Sequence, residues 1–126
     1  MIKMKLSENF DSKEFACHCC GKLPEGGMNP KLIELLQAIR EKLGKSISIT
    51  SGYRCEKHNH KVGGAKHSQH CLGNAADIKV QDKEMDASDV QHWLVLNFNK
   101  ECKGIGCYDN FTHIDVRDGN HARWNG

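Results

Sequence analysis

Apolar residues recur at three- and four-residue steps through one segment of the chain. Leu32, Leu35, Leu36, Ile39 and Leu43 fall on one face, while Lys31, Glu34, Arg40, Glu41 and Lys42 turn mostly to the other. That period predicts an amphipathic core helix, with Asn29 as its cap, Pro30 in its first turn and Gly44 as its stop. A second helix is predicted from Asp86, with Asp89 as a capping-box-like partner and Val90, Trp93, Leu94 and Phe98 as its buried side. Residues 46–50 (SISIT) alternate with Ile47 and Ile49 on one side, the pattern of a strand. Residues 75–80 (AADIKV), 104–108 (GIGCY) and 111–117 (FTHIDVR) read as further strands, the last two joined by a turn at Asp109 and Asn110. Residues 7–20 open with a short helical turn capped by Ser7 or Ser12 and anchored by Phe10 and Phe15, and Trp124 packs back from the tail. Helices segregated from a small sheet with a hairpin define an α+β domain.

The pattern lapses over residues 51–77. This stretch holds four of the eight histidines, two of the seven cysteines and four glycines, with almost no apolar run. A segment this long without periodicity is uncommon in a compact domain unless it is functional or disordered. Its wealth of ligand-type side chains argues against disorder, and a metal is the simplest agent to hold it in shape.

At 126 residues the chain is one domain, 1–126, with one core. A net charge of +2, with lysines scattered among acids, supplies no basic face for nucleic acid. The first ten residues, MIKMKLSENF, lack the apolar core of a secretory leader, and no run approaches membrane-spanning length. The expectation is synthesis in the cytoplasm without a signal peptide, no membrane insertion, and a monomer. Seven cysteines cannot all pair within one chain, so thiols or metal ligands are the default. Cys17, Cys19 and Cys20 leave two readings open, a second structural zinc or reduced thiols beneath the loop. A CxCC spacing with no second tight pair among Cys55, Cys71, Cys102 and Cys107 favours the thiols.

The chemistry converges on three residues. His70 and Asp77 flank a turn of small residues (Gly73, Ala75, Ala76), and His113 lies on a predicted strand, where it shares a face with Asp115. Two imidazoles and one carboxylate make a catalytic zinc set with a fourth position open for water. Zinc there would acidify the water and polarise a carbonyl, the chemistry of amide hydrolysis.

SGYRC, VGGAKHSQHCLGNAAD, GIGCY and FTHIDVR together resemble the zinc D-Ala-D-Ala carboxypeptidase family of metallopeptidases, in particular its small single-domain branch, which includes phage endolysins. The resemblance covers about residues 10–124, and its most specific part is Ser68, His70, Gly73, Ala75 and Asp77. It implies a hedgehog-like fold with zinc at a small antiparallel sheet and helices on one side of it. It also implies His70, Asp77 and His113 as zinc ligands, Arg54 as the catalytic and substrate-facing arginine, and Ser68 as a support of the ligand loop at the substrate site. The implied substrates are peptidoglycan stem peptides, cut at a D-Ala-D-Ala or an L-Ala-D-Glu type bond once the protein is released to the cell wall. Many relatives carry an acidic general base three positions before the last ligand histidine. Asn110 stands there, so the expectation moves to Asp115, with Asp109 as the other nearby acid.

Two other readings compete. The letters His58-Asn59-His60 match the name of HNH nucleases, but the paired CxxC knuckles and basic face of such enzymes are missing. The stronger rival is a non-catalytic zinc-containing cell-wall-binding or phage structural module on the same fold, since hedgehog-type domains hold such a zinc without established peptidase action.

Overall fold

In the computed structural model, residues 4–126 are described; residues 1–3, the start of the segment read above for a leader, lie outside that range. Helix α1 (Pro30–Leu43) begins where Asn29 Oδ1 accepts the Lys31 N–H at 3.0 Å and ends at Gly44, which takes the left-handed conformation at φ 70°. It buries Leu32, Ile33, Leu35, Leu36 and Ile39. The predicted stripe thus gains Ile33, while Leu43 is half-buried. Helix α3 (Ala87–Phe98) starts in a reciprocal capping box between Asp86 and Asp89, at 2.9 and 3.1 Å, and buries Val90, Leu94 and Phe98.

The main sheet has the order β3-β4-β6-β5-β7. Its strands are β3 (Ile47–Ser51), β4 (Ala75–Val80), β5 (Gly104–Cys107), β6 (Thr112–Asp115) and β7 (Ala122–Asn125). All neighbours are antiparallel except β5 and β7, which run parallel. Two short strands, β1 (Lys5–Ser7) and β2 (Phe10–Asp11), form a separate hairpin. Alternation along the strands divides the main sheet. Ala76, Ile78, Ile105 and Ile114 join the helices in one hydrophobic core, which leaves Asp77, His113, Asp115, Gly104 and Gly106 on the opposite face. No helix among the described residues is long and apolar enough to cross a membrane.

The chain departs from the sequence expectations in three places. Residues 7–11 belong to the small hairpin, and the helical turn that follows (Ser12–Phe15) is capped by Asp11, whose side chain completes a capping box with Glu14. The stretch between β3 and β4 is not irregular throughout. It contains the short helix α2 (Glu56–Lys61) and a single 3₁₀ turn (Gln69–Leu72), both too brief to show a period. The tail is a strand, β7, so Trp124 is held in register beside Gly106 as well as by packing.

The core gives a direct stability test. Leu94 is wholly buried and Leu96, one half-turn on, is 74% exposed. Leu94→Ala is expected to cost about 2–5 kcal/mol in urea denaturation, and Leu96→Ala no more than about 0.5 kcal/mol.

Candidate metal centre

Strand register builds the site. Asp77 on β4 pairs directly with His113 on β6, so the two side chains rise side by side from the sheet face away from the helices. His70 arrives from the 3₁₀ turn just before β4. Ser68 caps that turn by accepting the His70 N–H at 3.2 Å, and Gly73 reverses the chain with φ 75°. A Cβ on Gly73 would also lie 2.9 Å from the Pro24 ring, so the turn needs glycine for both reasons.

The three donor atoms form an almost equilateral triangle. His70 Nε2 is 3.1 Å from Asp77 Oδ1, and His113 Nδ1 is 3.2 Å from both. Donors bound to zinc at about 2.0–2.1 Å with tetrahedral angles stand about 3.3 Å apart. The triangle therefore fits one tetrahedral metal with a fourth position open, and all three residues are buried.

Each imidazole is oriented from behind. His70 Nδ1 donates to the Gly52 carbonyl at 2.7 Å, which frees the Nε2 lone pair for a metal. His113 uses the other tautomer: Nε2 donates to Asp115 Oδ2 at 2.8 Å, and Nδ1 faces the triangle. Asp115 is fully buried and also accepts from Arg117, through Nε at 2.9 Å, Nη2 at 2.7 Å and the backbone N–H at 3.1 Å. Burial works to raise the Asp115 carboxyl, but the bonds from His113 and Arg117 outweigh it and hold the group well below the usual carboxylate range. Burial likewise opposes charge on His113, yet the bonds to Asp115 and Asp77 prevail and its pKa is raised. Asp77 is brought to about 2: burial pushes it up, and hydrogen bonds with His113 and His70 pull it further down.

These contacts argue against the expectation that Asp115 is the general base. It shares a strand face with His113, but its carboxylate lies behind the imidazole and is saturated by Arg117, so it cannot receive a proton at the triangle's open side. It orients His113 instead. Asp109 and Asn110 are no substitutes, because both line a different depression beside α3.

The open side of the triangle faces a cavity of about 470 Å³. Arg54, His67, Tyr108, Phe111, Arg117 and Trp124 stand on its wall. Arg54 reaches the ligand carboxylate, with Nη2 at 3.2 Å from Asp77 Oδ2, and is braced by Ser51 at 3.2 Å and Asn59 at 3.3 Å. Ser68 is buried and lines the same cavity. His58 and His60 lie on α2 with Asn59, whose amide donates to the Ala65 carbonyl at 2.8 Å and closes the loop. His92 and His121 are exposed and outside the cavity lining.

Sequence reasoning missed the wall formed by Arg117 and Trp124. The Trp124 ring packs 4.9 Å from that of His113, the Arg117 guanidinium sits 5.2 Å over the indole, and Trp124 Nε1 donates to the Tyr108 hydroxyl at 3.0 Å. The signal was present in GIG. A Cβ on Gly106 would come within 2.6 Å of the indole, and one on Gly104 would collide with the Asp115 carboxylate. Two glycines at alternate strand positions clear one face for large neighbours.

A two-histidine, one-aspartate centre on an antiparallel sheet, with a guanidinium beside the open position, defines a mononuclear metallohydrolase site. The family model described as Peptidase M15 matches residues 8–115, and the chain belongs to that family of metallopeptidases. No curated protein matches the chain.

If Asp115 sets the basicity and tautomer of His113, Asp115→Asn and Gly104→Ala should each weaken metal binding by about 10–100-fold in chelator competition. Circular dichroism should show an unchanged fold for both. Unaltered affinity in both variants would remove Asp115 from the site's design.

Proposed function

We propose that the protein is a zinc-dependent peptidase acting on peptidoglycan stem peptides, as a D-Ala-D-Ala carboxypeptidase or an L-Ala-D-Glu-type endopeptidase. The observation that carries the reading is the donor triangle of His70, Asp77 and His113, with edges of 3.1–3.2 Å, opening onto a cavity with arginines on its wall. Zinc held there supplies a Lewis acid that polarises a carbonyl and acidifies water.

The chain's own residues do the rest. Arg54, fixed against Asp77, presents a guanidinium at the rim of the centre, suited to a peptide carboxylate or to the developing charge on a carbonyl oxygen. Arg117 stands on the same wall with its guanidinium paired to Asp115. Tyr108 and Phe111 stack at 4.4 Å and offer an apolar edge for the peptide's side chains. Ser68 fixes the backbone of His70 and also lines the cavity, where it stands beside the peptide. Among the described residues, Asp77 is the only carboxylate on the cavity wall, and its two oxygens face His70, His113 and Arg54. Proton transfer therefore falls to His67, an exposed imidazole on that wall that is not one of the three donors.

The test is cleavage of defined stem peptides by zinc-loaded protein, with fragments identified by mass. A cut that a chelator and His70→Ala both abolish is expected, and the fragment masses name the bond. Bound zinc without turnover, on peptides and on intact peptidoglycan, would instead favour the non-catalytic wall-binding module. Arg54→Ala should lower kcat/KM by about 10²-fold or more, the scale of losing one charge-stabilising donor. Steady-state kinetics of His67→Gln should show a kcat loss of about 10²-fold or more. A wild-type kcat in that variant would remove His67 from proton transfer.

A further inference from the structure

A second group of ligand-type side chains lies outside the cavity. Cys17, Cys20 and Cys55 bring their sulfurs within 4.8 Å of one another, and Cys17 Sγ is 3.7 Å from Cys55 Sγ. At that separation the two sulfurs are not joined. It is, however, the spacing of two thiolates on one tetrahedral zinc, about 3.8 Å for Zn–S bonds of about 2.3 Å.

The local backbone is built around those sulfurs. Cys17 and Cys20 are a CxxC pair followed by Gly21. The Gly21 N–H donates to the Cys17 carbonyl at 2.7 Å, the Cys17 N–H donates to the Lys22 carbonyl at 2.9 Å, and Gly21 takes φ 71°. The chain thereby folds into a knuckle that turns both thiols to one side. Cys55 caps α2, where its sulfur accepts the His58 N–H at 3.4 Å, and its own N–H points at Cys17 Sγ at 3.5 Å. N–H groups directed at sulfur stabilise thiolates, as such contacts do around metal ligands. Two histidines neighbour the thiols in sequence: His18 follows Cys17, His58 lies in the first turn that Cys55 caps, and their rings meet edge-on at 6.0 Å.

We propose that Cys17, Cys20 and Cys55 hold a second, structural zinc ion, with its fourth donor from the His18–His58 pair. Soft thiolates in a tetrahedral set select zinc over the hard divalent cations. Cys20 is exposed, which gives the ion a route in, and Cys19 is exposed on the knuckle without joining the cluster. The site clamps the N-terminal knuckle to the chain segment that carries Arg54. That segment is otherwise tied down by the Tyr53 N–H to the Phe15 carbonyl at 2.8 Å and the Arg54 N–H to the His70 carbonyl at 3.2 Å. The second ion would therefore hold Arg54 at the first centre without touching substrate.

The proposal is independent of peptidase activity and is tested on the full chain by metal content. After zinc loading under reducing conditions and removal of free metal, the wild type should retain about two zinc ions per chain, and Cys55→Ser and His113→Ala about one each. Because Cys55→Ser can fail to fold, cobalt loading of His113→Ala gives a second reading. Thiolate-to-cobalt charge-transfer absorption should be present, since the cysteine site survives in that variant. A His113→Ala protein that binds no metal, cobalt absorption without the thiolate band, or a Cys17–Cys55 disulfide in the freshly isolated protein would overturn the second site.

Discussion

The register of β4 against β6 is the constraint on which the functional face depends. Because Asp77 pairs with His113, a carboxylate and an imidazole are held at neighbouring positions by the sheet's own hydrogen bonds. A slip of one residue would carry Asp77 into the hydrophobic core and lift Ile78 to the surface, so burial of Ala76, Ile78 and Ile114 enforces the register that the metal centre needs. Stability and site geometry thus rest on the same pairing. Without a metal, the three donors would still be held together by Gly52, Asp115 and Arg54 from behind. A site oriented in this way loses little conformational freedom when the ion binds.

The opposite orientation of the two imidazoles follows from where each residue sits. His70 is on a turn and can present Nε2, because β3 ends close enough for the Gly52 carbonyl to take its Nδ1 proton. His113 is within a strand, and its outward partner must come from its own face, two residues on at Asp115. Asp115 in turn needs Arg117, two residues further still, to remain ionised in a buried position. The run His113, Asp115, Arg117 is one alternating line of charge that ends at the cavity wall, with Gly104 as the space that admits it. This is why a residue that looks like a catalytic acid in the letters serves as a positioning group.

Much of this was legible beforehand. The caps and apolar stripes of α1 and α3 stood out because each helix is long enough to repeat its period, and Ala75–Val80 was bounded by small residues that mark the turn into it. His70, Asp77 and His113 could be singled out because small residues mark the turn between the first two, the third lies on a strand, and the Ser68–Asp77 element resembles the metallopeptidase family. Residues that act through contacts were harder to read. Asp115 and Arg117 differ from surface charges only in what lies behind them, and α2 is too short to announce itself. The cysteines are instructive in the same way. Read as CxCC they form no familiar pair, whereas the fold uses the outer two, with Gly21 as the turn, and finds the third at Cys55, thirty-eight positions from Cys17. Spacing in sequence cannot give a partner that distant.

The central claim is that the sheet register preforms a tetrahedral metal centre. It is tested most directly by anomalous diffraction at the zinc edge, comparing zinc-loaded and metal-free crystals. The account predicts a peak at about 2.0–2.2 Å from His70 Nε2, Asp77 Oδ1 and His113 Nδ1, with all three side chains in the same rotamers in both crystals. A zinc-loaded crystal with no peak in the triangle, or a metal-free one in which His113 has left Asp115, would contradict it.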